Sequence, residues 1–258
     1  MEFSSAQLGA WIGSIMLPFF RIGAFVMALP IYTVQGVPRS VRMIFTAALT
    51  LAIVPLVPET PAIDPMSEGM LIMVAQQLLI GLTMGFILRL VFAAMVNAGQ
   101  LIAMGMGLGF ASMVDPVNGV QVPVVSMFYM IMAVLLYFAM DGHLVTIQVL
   151  RESFWILPID GGMLKSSVFL EIAKWGTWMF GGAVLIALPA VATTMLTNVS
   201  FGVLARAAPQ LNMFAVGFPI IIMVGFVTMW ITLPYVIPDF TALTSQALEG
   251  IGAILRAR

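Results

Sequence analysis

Of 258 residues, 62% are hydrophobic and only 8% are charged, and the formal net charge is −1. A water-soluble domain carries roughly a quarter charged residues to keep its surface solvated, so a soluble globular fold is excluded and the chain reads as an integral membrane or membrane-assembly protein. The charge balance leaves no basic face for nucleic acid. The absence of cysteine removes disulfides, thiolate metal sites and cysteine nucleophiles.

The N-terminal stretch MEFSSAQLGAW has no basic region ahead of its apolar run, and that run holds Pro18 and Arg21. This is not the pattern of a cleavable signal peptide, so the first hydrophobic segment is expected to stay in the mature protein. A spanning helix needs about 20 mostly apolar residues. Six segments reach or approach that length: Leu8–Ile31, Arg42–Val57, Met70–Ala103, Val122–Met140, Trp175–Leu204 and Met213–Tyr235. The second is short. Before the third, Pro58–Gly69 carries three prolines and cannot form a continuous helix. The third is too long for one perpendicular crossing, so it is expected to tilt, bend or extend past the lipid.

Arg21 and Arg89 lie near the middle of apolar segments. An arginine at a helix centre costs about 2.5–3.5 kcal/mol on insertion scales, so each calls for a partner or a wet cavity. Glu68, Asp115 and Glu152 are the candidate acids, with carbonyl groups of neighbouring subunits as the alternative. A structural ion pair is the favoured role for both arginines over a pore-lining one.

Across the end of the third segment runs AGQLIAMGMGLGFASMVDPVNG, Ala98 to Gly119. A phosphate-binding loop needs Lys and Ser or Thr directly after its last glycine, whereas Phe110 follows Gly109 and the next lysine is Lys165. Helix through Gly105, Gly107 and Gly109 is disfavoured by roughly 3 kcal/mol, and Asp115-Pro116 ends any helix. A loop is therefore expected. Non-helical backbone at membrane depth must be buried in protein or line a cavity. The residues leave two readings open: a packing face, or a deformable seal in which pliable methionines such as Met106 and Met113 close a passage with Phe110.

Asp141-Gly142 reads as a turn, followed by the only histidine, His143, and a moderately apolar stretch, Leu144–Leu157, that suits an interfacial helix. One imidazole without cysteine or an HExxH pair cannot build a usual zinc site. Ser112 and Ser126 have no lysine or histidine base at a recognisable spacing, so nothing points to an enzyme. Between the last two segments, Pro209 makes a turn, Gln210 and Asn212 offer amides, and Arg206 can bond terminal helix carbonyls. This is a hairpin tip, with the amides equally able to register one subunit on the next.

Small-xxx-small pairs at Gly9/Gly13, Gly81/Gly85 and Gly105/Gly109 permit close helix approach. Intramolecular packing is the favoured reading for the first two. Six crossings would divide the cations five against three: Arg151, Lys165, Lys174, Arg256 and Arg258 opposite Arg39, Arg42 and Arg206. The positive-inside rule then assigns no orientation.

VPRSVR (Val37–Arg42), QQLLIGLTMGF (Gln76–Phe86), MGLGFASMVDP (Met106–Pro116), DGHL (Asp141–Leu144), SFWILP (Ser153–Pro158) and RAAPQLNMFAVGFP (Arg206–Pro219) occur in this order across nearly the whole chain. Together they resemble the R-subunit family of the type III secretion export gate, in particular its flagellar FliR branch. The chain departs from the family's usual pattern at Gln76-Gln77 and at Leu144. The resemblance implies an all-α, membrane-associated protein of about six long hydrophobic helices, arranged as hairpins with irregular breaks and packed within a larger helical assembly. Residues 1–258 would form a single subunit, with 1–160 like a P subunit and 165–258 like a Q-subunit hairpin with a C-terminal tail.

A plug loop at about 104–119 would seal the pore, with Gly105, Met106, Gly107, Gly109, Phe110, Met113, Asp115 and Pro116 as its residues. Arg206, Pro209, Gln210 and Asn212 would serve subunit contacts. The implied partners are the P, Q and B subunits (FliP, FliQ and FlhB type) and unfolded secreted proteins in transit. No cofactor or metal is implied. The implied location is the bacterial inner membrane, in the flagellar basal body export apparatus, with much of the chain above the lipid plane. A small-solute secondary transporter, with a site at broken helices near the midplane, is the alternative function.

Overall fold

Without water to satisfy backbone groups, an apolar chain closes its hydrogen bonds within helices, and the computed structural model is helical throughout its regular elements. It describes residues 5–31, 37–58, 67–109, 123–160, 162, 165–208 and 213–256. Among these the elements are α1 (Ser5–Ala28), α2 (Arg39–Ile53), a 3₁₀ turn (Val54–Leu56), α3 (Glu68–Gly105), α4 (Val124–Ala139), α5 (Gly142–Ile156), α6 (Ser166–Ala207) and α7 (Met213–Arg256). The chain is thus an all-α protein of membrane type.

About six long hydrophobic helices were expected. Among the described residues four helical stretches are long and apolar enough to cross a membrane, with the 3₁₀ turn continuing α2, and a fifth span arises if α4 and α5 form one broken span. Two boundaries also differ from expectation. α6 starts well before Trp175, and α7 runs on through Pro234 and Pro238 to Arg256 instead of ending at Tyr235. A proline removes one backbone donor and one intrahelical bond, which a packed apolar helix tolerates.

The described residues group into two compact units. The first draws on Met1–Leu90, Met140–Gly176 and Thr244–Arg258, and the second on Val91–Ala139 and Thr177–Leu243. In the first unit, α1 turns Leu17, Ile22, Phe25 and Val26 inward. α3 meets α1 through glycine. A Cβ on Gly81 would collide with the carbonyl oxygen of Arg21, and one on Gly85 would stand 2.9 Å from that of Phe25. The Gly81/Gly85 pair is therefore intramolecular packing, as expected, whereas a Cβ on Gly13 meets nothing within 4 Å.

α2 has inverted polarity. It buries Thr46, Thr50 and Ile53 on one face, and Thr50 Oγ1 donates to the Thr46 carbonyl at 2.8 Å. Val41, Ile44 and Leu51 point outward. An aqueous surface would select the reverse arrangement; lipid or another subunit suits this one.

The second unit centres on Phe92, whose ring packs edge-on to Tyr137 at 5.4 Å and to Phe240 at 6.2 Å. Gly99 lets α3 approach the α4 backbone at Ser126, where a Cβ would come within 2.6 Å of the Ser126 Cα. Thr193 and Thr228 share a hydrogen bond of 3.1 Å between α6 and α7.

Candidate functional site

The glycine-rich stretch begins inside a helix. Gly105 is the last residue of α3, and its missing side chain makes room for α6, because a Cβ there would lie 2.8 Å from Thr194 Oγ1. The helix then stops at Gly107, which takes a positive φ of 78°. The Gly107 N–H bonds to the Met104 carbonyl at 3.0 Å and the Leu108 N–H reaches back to the Ala103 carbonyl at 2.9 Å. This pair of bonds is the Schellman arrangement, which needs a left-handed residue at the position glycine occupies. The expectation of helix failure at the glycines holds, with Gly107 as the breaking point.

Met106 anchors this turn. It is fully buried, and it fills the space left by Gly225 on α7, where a Cβ would fall within 2.8 Å of the methionine sulfur. Met104 stands 63% exposed beside it. A cavity of about 340 Å³ lies against Met104–Gly107, walled by Asn198 and Phe201 of α6 and Phe218 of α7. A second groove of about 330 Å³, wholly apolar in its lining, begins at Leu108 and is walled by Phe128, Phe226 and Trp230. Close packing thus describes Gly105 and Met106, and the Gly105/Gly109 pair is not a helix face, because the helix has ended. Phe110, Met113, Asp115 and Pro116 lie outside the described residues.

Replacing Gly107 tests the turn. Alanine in the left-handed region costs about 1–2 kcal/mol, and a β-branched residue is stiffer still. Phe218 Cε2 would also sit 3.3 Å from the new Cβ. Gly107→Val is expected to lower the thermal midpoint of the detergent-solubilised protein by more than Gly107→Asn, since Asn tolerates positive φ.

Arg21 is 0% exposed, and its partners correct the expected ion pair. Its Nε donates to Gln77 Oε1 at 2.7 Å, Nη1 to the Ser153 carbonyl at 3.0 Å and to Ser153 Oγ at 3.3 Å, and Nη2 to the Leu157 carbonyl at 2.9 Å. The guanidinium also stands 4.2 Å above the Phe154 ring. No carboxylate among the described residues is involved. Gln77 lies on α3, and the other acceptors lie at the end of α5, where the terminal carbonyls and the helix dipole favour a cation.

Glu152, one of the proposed acids, accepts instead from Gln148 at 2.8 Å. Arg89 is exposed on α3 and makes no ion pair with another described residue, while Asp115, one of its candidate partners, lies outside the described residues. Arg206 is exposed in the last turn of α6, while Pro209, Gln210 and Asn212 lie outside the described residues. Sequence reasoning missed Gln77, Ser153, Phe154, Leu157 and Gly225. Gln77 carried a signal, as a buried amide in an apolar run.

The family model described as "Bacterial export proteins, family 1" matches residues 12–247. The flagellar biosynthetic protein FliR of Pectobacterium carotovorum subsp. carotovorum is 36% identical over 257 residues, covering 99% of this chain and 97% of that protein. FliR of Escherichia coli (strain K12) is 33% identical over 255 residues, again 99% and 97%. FliR of Aquifex aeolicus (strain VF5) is 31% identical over 226 residues, 86% of each chain. With a match of this extent over a membrane-type helical chain, the protein belongs to family 1 of the bacterial export proteins, the family of the flagellar biosynthetic protein FliR.

Proposed function

We propose that the chain is a structural and gating subunit of the type III flagellar protein export channel, in which a loop at about 104–119 seals the closed pore. The observation that carries this reading is the root of that loop. A Schellman turn at Gly107 ends α3, and Met106 is locked against Gly225, so the chain up to Gly109 is held in place. A seal needs such a root, because a loop that slid as a whole could not close the same passage twice. The adjoining grooves are lined, apart from Asn198, by apolar and small residues, which accommodate diverse unfolded segments without specific recognition.

In this reading the chain works without chemistry of its own. It assembles with P, Q and B subunits of the FliP, FliQ and FlhB type in the inner membrane, within the flagellar basal body. Residues 1–160 act as the P-like part and 165–258 as the Q-like part. Arg206, Pro209, Gln210 and Asn212 register the hairpin tip on a neighbour. The outward apolar faces of α2, α6 and α7 support burial in an assembly, since Ile44, Leu185, Met195 and Trp230 are each more than half exposed. A small-solute transporter finds no support at Arg21, which is enclosed and bonded to protein acceptors.

Deleting Phe110–Val114 tests the seal while leaving Met106 and Gly107 in place. Conductance across membranes carrying the variant complex is expected to rise, with the complex recovered at near-normal yield. Loss of the complex without any leak would return the segment to a packing role.

A further inference from the structure

We propose that the outward face of α3 changes character between Phe86 and Arg89, and that the stretch from Arg89 to Met104 lines the wetted passage along which a secreted polypeptide moves. The inference deepens the gating reading above and rests on it for the passage itself. α3 presents one outward line along its whole length, because residues spaced by three and four fall on the same side of a helix. In the first half that line reads Leu71, Leu78, Leu82 and Phe86, all exposed and all apolar. In the second half it reads Arg89, Asn97, Gln100 and Met104, of which Asn97 is half-buried and the others are exposed. All eight positions belong to a single unbroken helix, so their alignment follows from α3 alone.

Nothing within the described residues accounts for the polar half. Arg89 and Gln100 make no hydrogen bond or ion pair with another described residue, and Asn97 reaches only the Met179 sulfur, at 3.8 Å. Facing hydrocarbon, a guanidinium and two amides would stay unpaired at a heavy cost, so this half of the line requires water or a polar partner. It also leads to the anchored turn. Met104, at its end, walls the cavity of about 340 Å³ beside Gly105 and Gly107, together with Asn198 of α6. Asn198 brings a further exposed amide to that cavity, its Nδ2 lying 3.5 Å from the Gly105 carbonyl oxygen. The polar line and the root of the seal thus meet at one place. An amide carries both donors and an acceptor, which matches the unpaired N–H and C=O groups of an extended chain, and an arginine suits its carboxylates. These contacts need no particular sequence in the passing polypeptide.

The chain has no cysteine, so single cysteines report on this line without background. Leu82 and Gln100 fall on the same side of α3 about five turns apart, which separates position along the helix from direction. In membranes carrying the assembled complex, Gln100→Cys is expected to react with a water-soluble maleimide roughly tenfold faster than Leu82→Cys, since a thiol in apolar surroundings stays protonated. An export substrate can be arrested in transit by a folded domain at its trailing end. A short thiol–thiol cross-linker should then join Gln100→Cys to a cysteine in the substrate, and Leu82→Cys should give no such product. Equal labelling at the two positions, or no substrate product from Gln100→Cys, would overturn the proposal, and a product with a neighbouring subunit in its place would assign the line to assembly. Substrate cross-linking from Gln100→Cys, with no leak on deletion of Phe110–Val114, would uphold the polar line and overturn the seal instead.

Discussion

Replacing Arg21 with methionine is expected to cost the folded protein about 3 kcal/mol, because two buried acceptors, Gln77 Oε1 and the Leu157 carbonyl, lose their donor at about 1–3 kcal/mol each. The Ser153 carbonyl suffers less, since it still accepts from the Leu157 N–H at 2.9 Å. An opposing effect is real. Removing an arginine from the centre of an apolar segment eases membrane insertion by about 2.5–3.5 kcal/mol. The two act at different stages, so they are separable by measurement. Arg21→Met should reach the membrane at least as well as the parent chain, then show faster proteolysis and poorer recovery in the complex. Arg21→Lys should fall between them, because a single ammonium cannot fork toward Gln77 and the end of α5 at once. Parent-like protease resistance in Arg21→Met would show that the network contributes nothing to folding.

A side chain at Gly81 should be the most damaging single substitution on α3. The atoms a Cβ would meet there are the Arg21 carbonyl oxygen and, at 2.9 Å, the Ala24 Cβ, and neither can swing aside. Gly81→Ala gains about 1 kcal/mol in helix propensity and loses about 1–3 kcal/mol to overpacking, so a net loss is expected. Gly81→Val adds bulk and loses the propensity gain, and it should fail to give a stable protein. Gly181 supplies the control. It sits in α6, exposed, with nothing within 4 Å of a Cβ, so Gly181→Ala in the isolated chain should raise stability by up to about 1 kcal/mol. Thermal midpoints of opposite sign for two Gly→Ala changes would establish that the α1–α3 contact, and not glycine content, sets the result. The same sign at both positions would refute it.

Legibility followed the range of each interaction. α3 was expected at Met70–Ala103 and runs Glu68–Gly105, because its hydrogen bonds are local and Pro58–Gly69 and Gly107 punctuate its ends. α7 was expected to stop at Tyr235, yet Pro234 and Pro238 lie within it, because packing around a helix decides whether a lost backbone bond matters. The burial of Arg21 and the exposure of Arg89 could not be told apart in sequence. Both sit in segments apolar on every side, which carry no periodic sign of the inward face.

The sequence by itself determined the all-α membrane class, through too few charges to cover a soluble surface and apolar runs that must close their own hydrogen bonds. It also placed the end of α3 near the glycine run Gly105–Gly109, and the structure put the left-handed turn at Gly107 within that run. Only the tertiary structure decided how Arg21 is accommodated. Its acceptors lie 56, 132 and 136 residues along the chain, two of them are backbone carbonyls that every residue possesses, and none is the acid that charge pairing suggested. The same holds for Met106 and Gly225, a buried knob and the gap that receives it, which no local pattern links. Helix formation is governed by neighbours in sequence, whereas these contacts exist only once separate helices have closed on one another.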